Sequence, residues 1–308
     1  MFKSFAFGAS AFGWAIFAAG SVLAEPAKYP TPQDALDAFL SGLVEGDTAA
    51  MLAVFGEEAE EVLSSGNPDR DALNRLEILA LYEEGFRMRP LGEEDGGGLE
   101  VLFGVEGWPF PIPLTRSADG WHFDLDRGTE EILVRRIGLN ELDAIETLEV
   151  YVDIQAEYRL IDHDDDGVME FAGSFLSSED ARDGLFWAAE DSPLGELIAL
   201  ASLDGYHDGD EDQEPEPFGG YYYRILQSQT DQAPGGAVEY MVNGNMVAGH
   251  ALLAVPSDYG DTGIHTFMVG ENGIVYEADL GEDSLDIAFE MQAFDPDEQW
   301  QPVELETN

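Results

Sequence analysis

Cysteine is absent from the 308 residues, and lysine occurs only at Lys3 and Lys28. Without thiols the chain has no disulfide, no thiolate nucleophile, no cysteine metal ligand and no lipid-modified cysteine anchor. Basic side chains number 13 against 64 acidic ones, for a formal net charge of −51. A surface of that sign repels phosphate backbones and anionic head groups, so nucleic acid and lipid surfaces are rejected as partners. Catalytic signatures are missing as well. No serine stands between glycines in a nucleophile elbow, no histidine pair has the helical zinc spacing, and no phosphate loop occurs. Histidine is scarce and scattered, at His122, His163, His207, His250 and His265. His250 and His265 fall in adjacent expected strands, where a structural pair is a better reading than a metal or catalytic site. Beyond the N-terminus no apolar run is long enough to cross a bilayer.

The N-terminus itself has the pattern of an export leader. Lys3 precedes an apolar stretch, and small residues at Val22 and Ala24 stand where a signal peptidase reads. Cleavage after Ala24 would remove Lys3 and no acidic side chain, making the mature chain one unit more negative. The expected location is periplasmic or secreted, with no membrane insertion after cleavage. Hydrophobic residues make up 44% and aromatics 11%, enough to build packed cores, so the acidity belongs to a folded protein rather than a disordered one. An exported protein meets the salt of the medium, and salt screens self-repulsion. The composition therefore predicts halophilic adaptation.

The patterning predicts an α+β fold in two modules, each a helix or helices packed on a small antiparallel sheet. Residues 1–24 are the leader, 25–138 a cone-like module, 139–283 a pilin-head-like module and 284–308 a loosely ordered acidic tail. In the first module Thr31, Pro32 and Asp34 open a helix, and residues 48–55 and 71–86 read as two more. Strands are expected over 99–105, 110–114 and 121–125, with Pro109, Pro111 and Pro113 on the solvent side of an edge. The second module opens with a helix over about 140–160, apolar on two faces. Strands follow over 219–226, 238–242, 246–255, 266–269 and 274–278. Asn243-Gly244 and Glu271-Asn272-Gly273 turn two hairpins. Residues 204–217 read as an acidic, proline-bearing loop.

Several runs carry a resemblance. Glu130-Glu131-Ile132-Leu133 with Arg135-Arg136-Ile137-Gly138 is one, and Trp108-Pro109-Phe110-Pro111-Ile112-Pro113-Leu114 is another. Gly220-Tyr221-Tyr222-Tyr223-Arg224-Ile225-Leu226 and Pro256-Ser257-Asp258-Tyr259-Gly260 complete the set. Together they resemble a family of exported bacterial proteins catalogued as domain of unknown function 2950, across about residues 29–281. The resemblance implies secretion and two fused modules, and it brings no activity. The second module also resembles, in outline, the heads of type II secretion pseudopilins, in which an acidic loop can hold calcium. It departs from them in having no prepilin cleavage motif and no apolar half-helix before Leu142. The first module is similar to nuclear-transport-factor-2-like folds, a likeness of fold alone.

The sharpest site candidate is the run from Asp162 to Glu170. Calcium takes six to eight oxygen ligands. Asp162, Asp164 and Asp166 alternate, Gly167 supplies a bend, the Val168 carbonyl adds an oxygen, and Glu170 closes the shell. The competing reading is a solvated Asp-Gly turn. His163 is expected to be exposed rather than a ligand. The acidic run from His207 to Glu216 lacks ordered spacing and reads as a solvated loop. Arg135 and Arg136 stand out as cations, either as an anchor for a carboxylate ligand or as an ion pair tying the modules together. Tyr221 and Tyr223 read as sheet packing or as a ligand groove. Trp108, Trp121 and Phe123, with Asp124 or Arg135 as polar group, would line a hollow in the first module.

The leading functional expectation is a non-enzymatic exported protein, a binding or envelope-assembly module with structural calcium and an envelope protein as partner. The alternative is a small-ligand binder or enzyme using the first module's hollow.

Overall fold

The computed structural model describes residues 25–59, 68–93, 96–178, 181–189, 191–203 and 215–304. The leader of residues 1–24, nearly all of the acidic 204–217 run and the last four residues lie outside that description. The fold is α+β, and the chain divides into two compact units, Met1–Glu131 and Ile132–Asn308.

In the first unit, α1 (Pro32–Glu45) begins in a capping box: the Thr31 hydroxyl accepts from the Asp34 N–H, and the Asp34 carboxylate accepts from the Thr31 N–H. Gly46, at φ 62°, ends the helix in the left-handed region. Asp47 then caps α2 (Thr48–Phe55). The third helix, α3 (Pro68–Glu84), stops two residues short of the expected end, because Gly85 at φ 132° turns the chain into β1 (Phe86–Pro90). That strand was not legible in a pattern that continued the helical spacing through Phe86. The sheet is completed by β2 (Leu99–Phe103), β3 (Trp108–Pro109), β4 (Leu114–Ser117) and β5 (Gly120–Phe123), in the order β1-β2-β4-β5 with β3 beside β2.

The proline-rich stretch differs from expectation. Trp108 and Pro109 pair with β2 and the Phe110 N–H donates to the Val101 carbonyl at 2.8 Å before the ladder breaks, while Phe110, Ile112 and also Pro113 are buried. Without N–H donors the chain cannot sustain a ladder, so it bows and drops Phe110 and Ile112 into the core. There Phe110 meets Phe39 and Phe123 at ring-centroid separations of 4.9 and 6.0 Å. Phe55 adds contacts to Phe39 at 5.5 Å and to Phe123 at 4.9 Å. The interior of this unit is a cluster of phenylalanine rings.

The long helix α4 (Leu125–Tyr158) starts some fifteen residues earlier than expected and runs for 34 residues. Asp124 caps it, its carboxylate accepting from the Arg127 N–H at 3.4 Å. The division between the units, after Glu131, therefore falls inside a helix, as does the expected boundary at 138. Ala144, Ile145, Leu148, Tyr151 and Tyr158 form one buried stripe, and Leu142 and Val150 are exposed. One face packs rather than two.

After the short α5 (Glu196–Leu200), the second unit builds an antiparallel sheet of order β15-β13-β12-β11-β6. Its strands are β6 (Tyr221–Leu226), β11 (Ala251–Pro256), β12 (His265–Gly270), β13 (Val275–Asp279) and β15 (Gln301–Pro302). The central β11 is buried along its whole length. Short pairs flank it: β7 (Ser228–Gln229) with β8 (Val238–Glu239) and β14 (Ala293–Phe294), and the hairpin β9 (Met241–Val242) with β10 (Asn245–Met246). Both expected hairpin turns are present. Asn243 and Gly244 take φ values of 56° and 100°, and Gly273 takes 70°.

The tail corrects the expectation of loose order. Helix α6 (Ser284–Glu290) buries Ser284 and Ala288, and Phe294 and Trp300 are buried beyond it. Its strands are only two residues long, too short for any period to show in the sequence.

Candidate metal centre

Helix α4 ends at Tyr158, and the chain turns at once into the acidic loop. The His163 ring stacks on Tyr158 with centroids 4.0 Å apart and planes 16° apart. Its Nε2 lies 3.1 Å from the Tyr158 carbonyl. That carbonyl belongs to the last turn, where it accepts from the Ile161 N–H at 3.2 Å, and an imidazole N–H adds a second donor. His163 is half-buried and acts as a helix stop, which corrects the expectation that it is exposed.

The loop then winds around its own carboxylates. Asp162 Oδ2 accepts from the Gly167 N–H at 2.9 Å, Asp164 Oδ1 from Asp166 at 3.2 Å, and Asp166 Oδ1 from Val168 at 2.7 Å. Asp165 at φ 60° and Gly167 at φ 89° take the two left-handed conformations that this winding needs. As a result one oxygen from each of Asp162, Asp164 and Asp166 lies within 4.8 Å of the others. Two further contacts latch the loop to the β9–β10 hairpin. Asn245 Nδ2 donates to Asp166 Oδ2 at 2.6 Å, and the Met246 N–H donates to Glu170 Oε2 at 3.1 Å.

Within this group Asp162 Oδ1 is shut off from solvent and accepts no hydrogen bond among the described residues. A buried carboxylate oxygen without a donor costs free energy unless a cation meets it. Burial raises the pKa of Glu170, opposed by the Met246 N–H, and the carboxylates of Asp164, Asp166 and Asp162 raise it further. Like charges are gathered here, and among the described residues no basic side chain forms an ion pair with them. The donors are hard oxygens, which suit calcium or magnesium and not softer metals. Glu170 stands beside the three aspartates rather than among them, and Val168 is exposed on the loop.

The other expected site residues are dispersed. Phe123 is a fully buried core residue and Asp124 a helix cap, and both line a small cleft of about 210 Å³ with Phe55 and His122, from which Trp108, Trp121 and Arg135 are absent. Trp108 is exposed and stacks its ring on Phe103 at 6.5 Å, while Trp121 is half-buried with Arg116 6.0 Å above its ring. Tyr221 and Tyr223 are buried in the core of the second unit. The Tyr221 hydroxyl donates to the His265 carbonyl at 2.9 Å, and burial pushes the Tyr223 hydroxyl up to about 12. Arg136 pairs with Asp261, a contact within the second unit rather than a tie between the two. Arg135 lies on α4 beside it.

His250 and His265 do not meet. The β11–β12 register sets Ala251 opposite Gly270 and Ala254 opposite Phe267, which puts the two histidines at opposite ends of the hairpin, about 20 Å apart. Each has its own role. Glu141 Oε1 accepts from the Ile264 and His265 N–H groups at 2.9 and 3.0 Å and lies 3.1 Å from His265 Nδ1. His250 is buried against Tyr151 and Phe171. The Glu141 clasp joins residues more than 120 positions apart, and no local signal marks it.

No curated protein and no solved structure matches the chain. The model of one family, described as Protein of unknown function (DUF2950), matches residues 27–303, and the chain belongs to that family.

Proposed function

We propose that this is an exported, non-enzymatic binding or envelope-assembly protein whose second unit is held by a structural calcium ion. The observation that carries the calcium is the convergence of Asp162, Asp164 and Asp166 around a buried, donorless Asp162 oxygen. Calcium is favoured over magnesium because a loop with several carboxylates and room for a carbonyl suits a large, flexible shell. Magnesium demands a near-ideal octahedron and keeps its waters. The Val168 carbonyl and Glu170 are the natural completing ligands. The ion would join the end of α4 to the β9–β10 hairpin through the Asn245 and Met246 latches.

Export rests on the leader pattern of residues 1–24, and the non-catalytic reading on the absence of nucleophile, zinc and phosphate-loop motifs. A role in envelope assembly draws on the arrangement of long helix, acidic turn and antiparallel sheet. The alternative, a ligand hollow in the first unit, is disfavoured because phenylalanine rings fill the interior and the cleft beside Phe123 and Asp124 holds only about 210 Å³, below the usual range of small-molecule sites.

The test is thermal melting of the mature chain in EDTA, calcium or magnesium at one high ionic strength. Calcium at a hundredfold excess over Kd should add about 2.7 kcal/mol, a rise of about 5–10 °C. Asp164→Ala and Asp166→Ala should abolish the rise. An equal response to both ions, or none, rejects the site. The leader is tested separately, by the N-terminus of protein recovered from the periplasm, expected at Glu25.

A further inference from the structure

A second feature of the Ile132–Asn308 unit lies away from the acidic loop. One face of α4 meets the irregular segment around Phe175 and Leu194, the short α5 and the residue Phe218, and the four leave a cleft of about 320 Å³ between them. That volume is within the range of small-molecule sites, about 300–1,000 Å³. Its floor is core: Tyr151, Phe175, Leu194 and Leu252 are all buried. Val150 and Ile198 add apolar walls nearer the mouth.

Among the described residues the charged groups lining it are Asp143 and Glu146. They stand three residues apart on α4, which puts them on one side of the helix. Both are exposed, and neither has an ion-pair partner among the described residues. Thr147, one turn on from Asp143, turns its hydroxyl back to the Asp143 carbonyl at 2.8 Å. The cleft thus combines an apolar floor with two unneutralised carboxylates on one lip and, among the described residues, no basic group in its lining.

We propose that this cleft binds a small amphiphilic cation, a compact aromatic or alkyl body carrying an ammonium group. The body would rest against Phe175, Tyr151 and Leu252, and the ammonium would lie between Asp143 and Glu146. Apolar burial supplies most of the affinity and the carboxylates choose the sign of the head group. Anionic ligands of the same shape are rejected by both carboxylates at once.

The chain's overall negative charge attracts any cation, so the experiment must separate the cleft from the background. Tryptamine, tryptophol and indole-3-propionate share one ring and differ in the sign of the head group. Calorimetric titration of the full chain in about 0.5 M NaCl, where the screening length is a few ångströms, suppresses the diffuse attraction. Tryptamine is expected to bind one-to-one with Kd of about 0.1–1 mM. Tryptophol should bind more weakly and indole-3-propionate should not bind. The double variant Asp143→Asn, Glu146→Gln should weaken tryptamine by about tenfold and leave tryptophol unchanged. A control removing two remote carboxylates, Glu130→Gln with Asp286→Asn, should change neither. Val150→Trp keeps every charge and fills the mouth, so it should abolish binding of both ligands. Should that variant misfold, methyl chemical shifts in the wild-type chain give the location, with tryptamine moving Thr147, Val150 and Ile198. Equal binding of all three ligands would overturn the proposal. So would an unchanged tryptamine Kd in the Asp143/Glu146 variant, shifts elsewhere, or no saturation by about 10 mM.

Discussion

At the scale of single residues, close approach and burial decide what can be changed. Gly263 illustrates the first. A Cβ at that position would lie 2.7 Å from Tyr221 Cζ and nearer still to its hydroxyl. The ring cannot retreat, because Tyr221 is buried and its hydroxyl donates to the His265 carbonyl. Gly263→Ala should therefore cost about 1–3 kcal/mol in urea unfolding. In a Tyr221→Phe background the cost should shrink by about 1 kcal/mol, since the clashing oxygen is gone. His250 illustrates burial. Its pKa is lowered to about 4, chiefly by burial and then by Arg159. The ring is packed on Tyr151 and Phe171, and Arg159 is the charged group facing it. A folded-state pKa below the ordinary 6.5 means stability is fully present above pH 6.5 and lost as pH falls toward 4. At pH 5 the loss attributable to this ring is about 2 kcal/mol. The wild type should lose that much more than His250→Phe between pH 7 and 5 in paired urea titrations. Parallel pH profiles would show that the ring ionises without penalty.

At the scale of elements, local signals and long-range contacts separate what the sequence discloses from what it conceals. Helix α1 was legible because its start is a reciprocal cap within four residues, and Thr31→Ala should cost about 1 kcal/mol in thermal unfolding. The early start of α4 was hidden, because Trp121, Phe123 and Leu125 alternate as a strand does and Asp124 reads as a strand end rather than a cap. The cation loop was half legible. Alternating aspartates before a glycine are a local pattern, and the structure converges them. Its latches to Asn245 and Met246, each more than 70 positions away, have no local trace. The carboxyl-terminal region was concealed for a different reason. Seven of the 25 residues from Ser284 to Asn308 are acidic and its strands are two residues long, so burial there depends on what the rest of the chain offers. Trp300 makes this testable. It is buried within that region, and Trp300→Ala should destabilise the protein by about 3 kcal/mol or more. An unchanged melting temperature would return residues 284–304 to the status of an appendage.

At the scale of the whole molecule, charge opposes folding and solvent must offset it. The balance of 64 acidic against 13 basic side chains leaves most carboxylates with like-charged neighbours. Two effects of salt then compete. Screening weakens attractive pairs such as Arg182–Asp191 and Arg89–Glu100, and it weakens repulsion among the unpaired carboxylates. The pairs are at the surface, where each contributes at most about 1 kcal/mol. With at most 13 basic groups to pair, repulsion is the larger sum, and it extends over a Debye length of about 10 Å at 0.1 M but only about 3 Å at 1 M. The melting temperature should therefore rise steadily with NaCl over that range, and potassium chloride should match it at equal ionic strength. Calcium added at constant ionic strength should give a separate, saturable increment that Asp164→Ala removes, because it binds a site rather than thinning a field. A melting temperature that fell with NaCl would mean the few ion pairs outweigh the many unpaired carboxylates, and the acidic surface would then need another explanation than tolerance of salt.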